Sequence, residues 1–305
     1  MTSLDQSADL RPTTGVRRLA WPLAVANLVA NIGIVITGGA VRLTGSGLGC
    51  PTWPRCTDDS YVAHGELGIH GAIEFGNRLL TFVLVVLALA LWVVMLVGLV
   101  RSWRGEREWR PFLLATTVAL GIPAQAIIGG ITVHTDLNPW IVSLHLLVSM
   151  AIIGVCVVLL DELRGPDRDG SPRLATLAWA VFAVTWVVLY LGTVVTGSGP
   201  HSGDLDSRRT GLDPQVMSHV HAAAVYLLLA LTLGLAVAAR RVGTPTLAAA
   251  ALLLLVLEVA QGVVGFVQYF TDLPEILVGL HMLGAALVSA SVTWVVLAAR
   301  PRHRG

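Results

Sequence analysis

Lysine does not occur in this chain of 305 residues, so all 20 of its basic residues are arginines. We read that uniformity as a genomic composition bias rather than a site. Charge is scarce altogether: 13% of residues are charged and the net charge is +1. A soluble chain of this length needs far more charge to cover its surface, and so weak a balance points to no nucleic-acid partner. Cysteine is scarce too, with three in all. Cys50 and Cys56 flank a short polar stretch, whereas Cys156 lies in an apolar run and reads as an inert core thiol. The polar segment Met1 to Thr14 lacks a cleavable signal pattern and reads as a short disordered tail.

What the chain does have is apolar length. Hydrophobic residues make up 55% of it and the mean hydropathy is +0.75. A spanning helix needs about 20 mostly apolar residues. Such runs occur at about Leu19–Val41, Ala72–Val100, Pro111–Val133, Trp140–Leu160, Leu174–Thr196, Met217–Ala239, Leu247–Phe270 and Ile276–Ala299. The expected fold is therefore all-α, a polytopic membrane protein of eight transmembrane helices. Arg17 and Arg18 precede the first run, and Arg101, Arg104, Arg107 and Arg110 separate the second and third. Arg164, Arg168 and Arg173 follow the fourth, Arg240 and Arg241 the sixth, and Arg300 and Arg302 the last. Every second loop is basic, which places both termini in the cytoplasm of a cell whose plasma membrane the chain crosses many times. Arg42, Arg55, Arg208 and Arg209 are exceptions in the outer loops.

An internal repeat emerges next. Thr44-Gly45-Ser46-Gly47 follows run one, and Thr196-Gly197-Ser198-Gly199 ends run five. Gln125 and Gly129 in run three match Gln261 and Gly265 in run seven. Thr135-Asp136-Leu137 matches Thr271-Asp272-Leu273. His145 lies 20 residues after Gln125, as His281 lies 20 after Gln261. Matches in the same order at the same spacing imply two tandem, pseudo-symmetric four-helix bundles of one orientation. The expected division is a cytoplasmic tail (1–17), an N-terminal half (18–162), a cytoplasmic linker (163–173), a C-terminal half (174–299) and a second tail (300–305).

Five polar residues within the spans share one depth. Glu74, Asn77, His145, His221 and His281 each fall within two turns of the outer end of an even-numbered run, roughly 5–12 Å below the surface. Ionisable groups there are costly and point to function. His221 and His281 face each other across the expected bundle core, and two histidines on facing helices are a common way to ligate haem iron. The bland alternative is that each bonds a neighbouring helix, which two repeat-related histidines at one depth make less economical. In the first half His145 matches His281, but the counterpart of His221 is Asn77. His70, four residues before Glu74 and on its face, is a candidate substitute. One half thus holds a complete pair and the other an uneven set, which suggests a reaction site in the first half and a redox or structural haem in the second.

The cysteine pair lies in an outer loop, an oxidising location in which a Cys50–Cys56 disulfide is expected. It reads as a structural clip over the N-terminal site, with electron exchange as the alternative. His64, His134, His201 and His219 read as surface groups. Glu258, deep in run seven, reads as a protonated core carboxyl or helix glue. Arg42, Arg208 and Arg209 are candidates for pairing with haem propionates.

The segments Gly38-Gly39-Ala40-Val41-Arg42-Leu43-Thr44-Gly45-Ser46-Gly47-Leu48-Gly49-Cys50-Pro51 and Ile73-Glu74-Phe75-Gly76-Asn77-Arg78 carry a resemblance. With Gly129-Gly130-Ile131-Thr132-Val133 through His145, and the His221 and His281 regions, the chain resembles the haem A synthase family from about Arg18 to Ala299. The resemblance implies an enzyme that oxidises a ring methyl of haem O to a formyl by successive hydroxylations, with water providing or exchanging oxygen. It implies a haem b cofactor on His221 and His281, and substrate haem O beside Glu74 with His145 as one axial ligand. Many members have a histidine where this chain has Asn77, so the second ligand there stays open between Asn77 and His70, with Arg78 a further contact candidate. Glu74 is implied as an acid/base or cation-stabilising group, compatible with an i,i+4 ion pair to Arg78. The family often carries a cysteine pair in this loop. Implied partners are the lipid bilayer, haem O synthase, cytochrome oxidase assembly factors and an electron donor. The alternatives are a non-enzymatic bis-histidine membrane cytochrome and a haem transporter.

Overall fold

The computed structural model describes residues 14–101, 109–165, 170–204 and 207–300. Most of the two expected tails (1–13 and 301–305), part of the linker, and Arg104, Arg107, Arg168 and Arg302 lie outside the described residues. Within them the chain forms α1 (Thr14–Leu43), a 3-10 turn (Gly65–Leu67), α2 (Gly68–Arg101), α3 (Trp109–His134) and α4 (Pro139–Arg164). The second half of the sequence forms α5 (Pro172–Ser198), α6 (Pro214–Val242), α7 (Pro245–Phe270) and α8 (Glu275–Ala298). All eight are long and apolar enough to cross a membrane. Each expected run is found, and most helices extend it by a few residues into their polar caps.

Local chemistry sets those caps. Pro139, Pro172, Pro214 and Pro245 open α4 to α7, where a missing N–H costs nothing because the first turn has no acceptor for it. Asp213 caps α6 by accepting from the amides of Gln215 at 2.8 Å and Val216 at 3.0 Å, which contributes about 1 kcal/mol. Asn138 accepts from Trp140 at 3.0 Å at the start of α4. Gly243, at φ 78°, ends α6 in the left-handed conformation that a glycine adopts without a Cβ penalty.

The repeat is built into the backbone. The non-glycine residues with positive φ are Asp136 (51°), Leu137 (56°), Asp272 (56°) and Leu273 (58°) among the described residues. The Leu137 amide donates to Thr132 O at 2.9 Å, and the Leu273 amide to Gln268 O at 3.1 Å. The α3–α4 and α7–α8 hairpins are therefore the same turn made twice. Left-handed backbone costs a leucine about 1–2 kcal/mol. At Leu137 burial offsets that cost, because its side chain packs on Gly47 and Gly203.

Helices α1 to α4 close a ring in which each packs on the next and α1 returns to α4; α5 to α8 close a second in the same way. Three pairings join the rings: α1 with α8, α4 with α8, and α4 with α5. Val35, Met150, Ile153 and Ala286 are buried in that seam. There the Ser289 hydroxyl donates to Met150 O at 2.9 Å. Only 17–39% of each span is buried within the protein, and large side chains such as Phe82, Val86, Leu120 and Val263 face outward. Such a surface is tolerable only against an apolar solvent, and helices satisfy their own backbone there. The chain is a multi-pass membrane protein.

Candidate functional site

Three histidines repeat one arrangement. His145 on α4 lies against Gly129 on α3, His221 on α6 against Gly192 on α5, and His281 on α8 against Gly265 on α7. A Cβ at those glycines would stand 3.3, 3.3 and 3.7 Å from the ring Cε1 of its histidine. Each ring therefore occupies space that a larger residue on the preceding helix would take. All three Nδ1 atoms are buried without a hydrogen-bond partner. Buried polar groups are ordinarily paired, so these nitrogens are free to take a partner, as are Gln125 Oε1, Glu258 Oε2 and Ser291 Oγ. His221 and His281 lie within electrostatic range of each other.

The backbone that carries His145 is held from α3. Gln125 Nε2 donates to His145 O at 2.9 Å and also meets the Ser149 hydroxyl. Its repeat partner Gln261 packs instead against Gly284 on α8, where the glycine leaves room for the amide. Both glutamines brace the helix that bears the histidine.

Asn77 is engaged elsewhere. Its Oδ1 accepts from the Thr37 hydroxyl on α1 at 2.8 Å. His70 is exposed in the first turns of α2, and its Nδ1 is 2.9 Å from the Ser46 hydroxyl. It stands two helical turns before Asn77, about 10 Å along the axis.

Glu74 is buried, and both its oxygens are occupied. Oε2 accepts from the Cys50 amide at 2.7 Å, while Oε1 accepts from Arg78 Nε at 3.1 Å and from Arg78 Nη2 in a closer contact. Arg78 in turn donates to Thr52 O, Arg55 O and Cys50 O at 3.0–3.1 Å. The expected Cys50–Cys56 disulfide is present, so this pair on α2 clasps the disulfide loop from below. Gly49 meets the His70 carbonyl so closely that no Cβ would fit, which lets the loop lie on α2. At the loop's other side Trp53 stacks on Gly130, beside the glycine that faces His145, and His134 bonds the Trp53 carbonyl at 3.0 Å. Trp53 and His134 were not legible as loop anchors in the sequence; their only signal was the Gly129-Gly130 doublet.

The outer arginines are spent on backbone. Arg42 donates to His201 O at 2.6 Å and to Thr196 O at 3.0 Å, joining α1 to the loop of the second ring. Arg209 donates to Pro200 O at 3.0 Å and to the Ser207 hydroxyl at 3.1 Å. Arg208 is exposed. His64, His134 and His219 are exposed, as expected, but His201 is half-buried and contacts Leu273 O at 2.9 Å. Glu258 is buried on α7 and accepts from Thr232 on α6 at 2.9 Å.

Two rings of four spans, with His145 in the first and His221 and His281 in the second each set near one end of its helix opposite a glycine, define a multi-pass helical membrane protein built on a repeat. The chain belongs to the cytochrome oxidase assembly protein family COX15-CtaA, whose sequence profile matches residues 21–200. A protein named heme A synthase from Bradyrhizobium sp. (strain ORS 278) is 30% identical over 216 residues, covering 61% of this chain and 58% of that protein. One of the same name from Lysinibacillus sphaericus (strain C3-41) is 30% identical over 59% of this chain and 58% of its own length. A third, from Sinorhizobium fredii (strain NBRC 101917 / NGR234), is 25% identical over 89% of this chain and 87% of its own. The first two matches thus span a little under three-fifths of those relatives.

Proposed function

We propose that this protein is a haem A synthase, which oxidises the ring methyl of haem O to a formyl and so makes the haem of cytochrome oxidases. The observation that carries the reading is the set of three half-buried imidazoles at matching places on α4, α6 and α8, each facing a glycine and each with a buried, unpaired Nδ1. A free metal ion bound by protein alone needs several side-chain ligands. Among the described residues no group of three or more His, Cys, Asp or Glu offers them. A haem brings four nitrogens of its own and asks the protein for one or two axial imidazoles, which is what each ring supplies.

In this reading His221 and His281 hold a haem b in the C-terminal half, and His145 holds substrate haem O in the N-terminal half. Bound haem supplies the oxidative and electron-transfer chemistry. The chain's own residues bind, orient and seal. Asn77 gives its side-chain oxygen to Thr37, so His145 alone would hold the haem of the first half, whereas His221 and His281 together would hold that of the second. Glu74, with Arg78, keeps the disulfide loop seated over α2 and α3 and so helps exclude water from the site, and its carboxyl is the proposed acid/base or cation-stabilising group. Gly129, Gly192 and Gly265 leave room for the three imidazoles and so set where each ring stands. The N-terminal half is bounded by 18–162 and the C-terminal half by 174–299. Both termini are cytoplasmic and the histidine layer lies toward the outer face of the plasma membrane. Haem O synthase and cytochrome oxidase assembly factors are the proposed partners.

Expression in a host that supplies haem O, followed by chromatography of the extracted haem, tests the activity. Haem A or a hydroxylated intermediate from the intact protein is the expected product. Unchanged haem O alongside a low-spin bound haem would favour instead a bis-histidine cytochrome that only passes electrons, the reading to which the complete pair in the second half also lends itself.

A further inference from the structure

Glu258 stands near the middle of α7, only 3% exposed. Its Oε1 takes the single hydrogen bond from Thr232, and its Oε2 is buried with no partner. Helix α7 packs on α6 and α8. Their titratable side chains are His219, His221, Tyr226, Arg240 and Arg241 on α6, and Glu275 and His281 on α8. None of them bonds or ion-pairs with Glu258. In the first half the matching position is Ile122, so the carboxyl belongs to the second half alone.

Gln261, Gly265 and Gln268 follow Glu258 at i+3, i+7 and i+10, on one face of α7. Gln261 packs on Gly284, Gly265 faces the ring of His281, and Gln268 is buried at the loop end. Gln261 and Gln268 thus share the face of α7 that carries Glu258, with Gly265 and the His281 ring at a level between them. The carboxyl lies about 10 Å along α7 from the glycine that faces His281. An isolated carboxylate in such a place is costly unless a positive charge compensates it.

We propose that Glu258, with Thr232, is a proton-binding site coupled to reduction of the haem held by His221 and His281, an inference that rests on the haem reading above. A ferric haem with two neutral imidazoles carries one net positive charge at its centre, which offsets the carboxylate. When a one-electron reductant makes the iron ferrous, that compensation is lost. The carboxylate then forms an O–H bond with a proton taken up from water at the loop end, the end toward which Gln261 and Gln268 extend its face of α7. Re-oxidation breaks that bond and returns the proton to water. One electron and one proton enter together, and no uncompensated charge is left in the membrane interior.

The test uses the full-length, haem-loaded protein. The midpoint potential of its low-spin haem is measured against pH, together with the reduced-minus-oxidised infrared spectrum. The wild-type potential should fall with rising pH at a slope of one proton per electron, and a protonated-carboxyl C=O stretch should appear on reduction. Glu258→Gln should retain the low-spin spectrum but lose both the slope and the band. Thr232→Val, which keeps the carboxyl and removes its hydrogen bond, should shift the pH range of the slope and the frequency of the band. A slope and band that persist in Glu258→Gln would assign them to other groups, such as the haem propionates, and overturn the inference. If Glu258→Gln fails to fold, an unmoved band and slope in Thr232→Val overturn it equally. A wild-type protein that holds no low-spin haem would overturn the haem reading and the coupling with it, an outcome distinct from haem bound with a pH-independent potential.

Discussion

Asn77 on α2 accepts a hydrogen bond from the Thr37 hydroxyl on α1 at 2.8 Å, at the position where the repeat places the counterpart of His221. The first half therefore presents one half-buried histidine opposite a glycine, and the second presents two. Asn77→His should add a second axial ligand and convert the haem of the N-terminal half to a low-spin form. Electron paramagnetic resonance of the haem-loaded variant would register the gain. A spectrum unchanged from wild type would mean that position 77 does not address the iron.

His221→Ala and His281→Ala should each abolish the low-spin haem signal of the C-terminal half while the protein stays helical. Circular dichroism beside the absorption spectrum separates loss of ligand from loss of fold. Low-spin haem retained in both variants would refute their role as ligands.

Gly192→Val should have the same consequence by a different route. Its Cβ would stand 3.3 Å from the His221 ring, tighter than ordinary contact, and the added methyls would drive the imidazole out of place. Overpacking of this kind costs about 1–3 kcal/mol. A variant that binds haem at the wild-type level would show that the ring has room to move.

Glu74→Gln breaks a charge-assisted contact to a partly buried arginine, which costs about 1.5–3 kcal/mol, and should lower the thermal unfolding temperature and stop turnover with haem still bound. Arg78→Ala serves as the control, because it removes the same clasp and leaves the carboxyl. If Arg78→Ala depresses turnover as far as Glu74→Gln does, Glu74 acts by seating the loop. If Arg78→Ala stays active, the carboxyl itself takes part. Unaffected activity in Glu74→Gln would remove it from the mechanism.

Replacing both Cys50 and Cys56 with serine should cost about 2 kcal/mol, as the chain-entropy relation gives for so short a loop. The loop should nevertheless stay seated, since Glu74, Arg78, Trp53 and His134 hold it without the bond. Haem content and turnover measured with and without reductant would check this. Activity abolished at unchanged stability would point to electron exchange through the disulfide.

Most of the architecture was legible in the sequence. All eight spans lie where the apolar runs put them. The Thr135-Asp136-Leu137 and Thr271-Asp272-Leu273 match reappears as one left-handed turn made twice. The place of His145, His221 and His281, each within about two turns of the start of its helix, was legible as well, because position along a helix follows from residue count. The partners were not. Arg42 was a candidate for haem propionates and instead bonds the carbonyls of Thr196 and His201. His70 was a candidate ligand and instead sits exposed beside Ser46. The clasp of Glu74 on the Cys50 amide had no periodic signature at all.

The sequence by itself determined that this is an eight-span membrane protein with a duplicated plan and one uneven pair of histidine positions. Each of those features is local. A helix in lipid satisfies its own backbone, and its apolar length, caps and side-chain depth are set within a few residues. Only the tertiary structure decided what each polar group meets. Thr37 reaches Asn77 across 40 residues of chain, and Arg42 reaches His201 across 159. Such contacts depend on how the two rings close and meet, and a period of 3.6 residues carries no record of that.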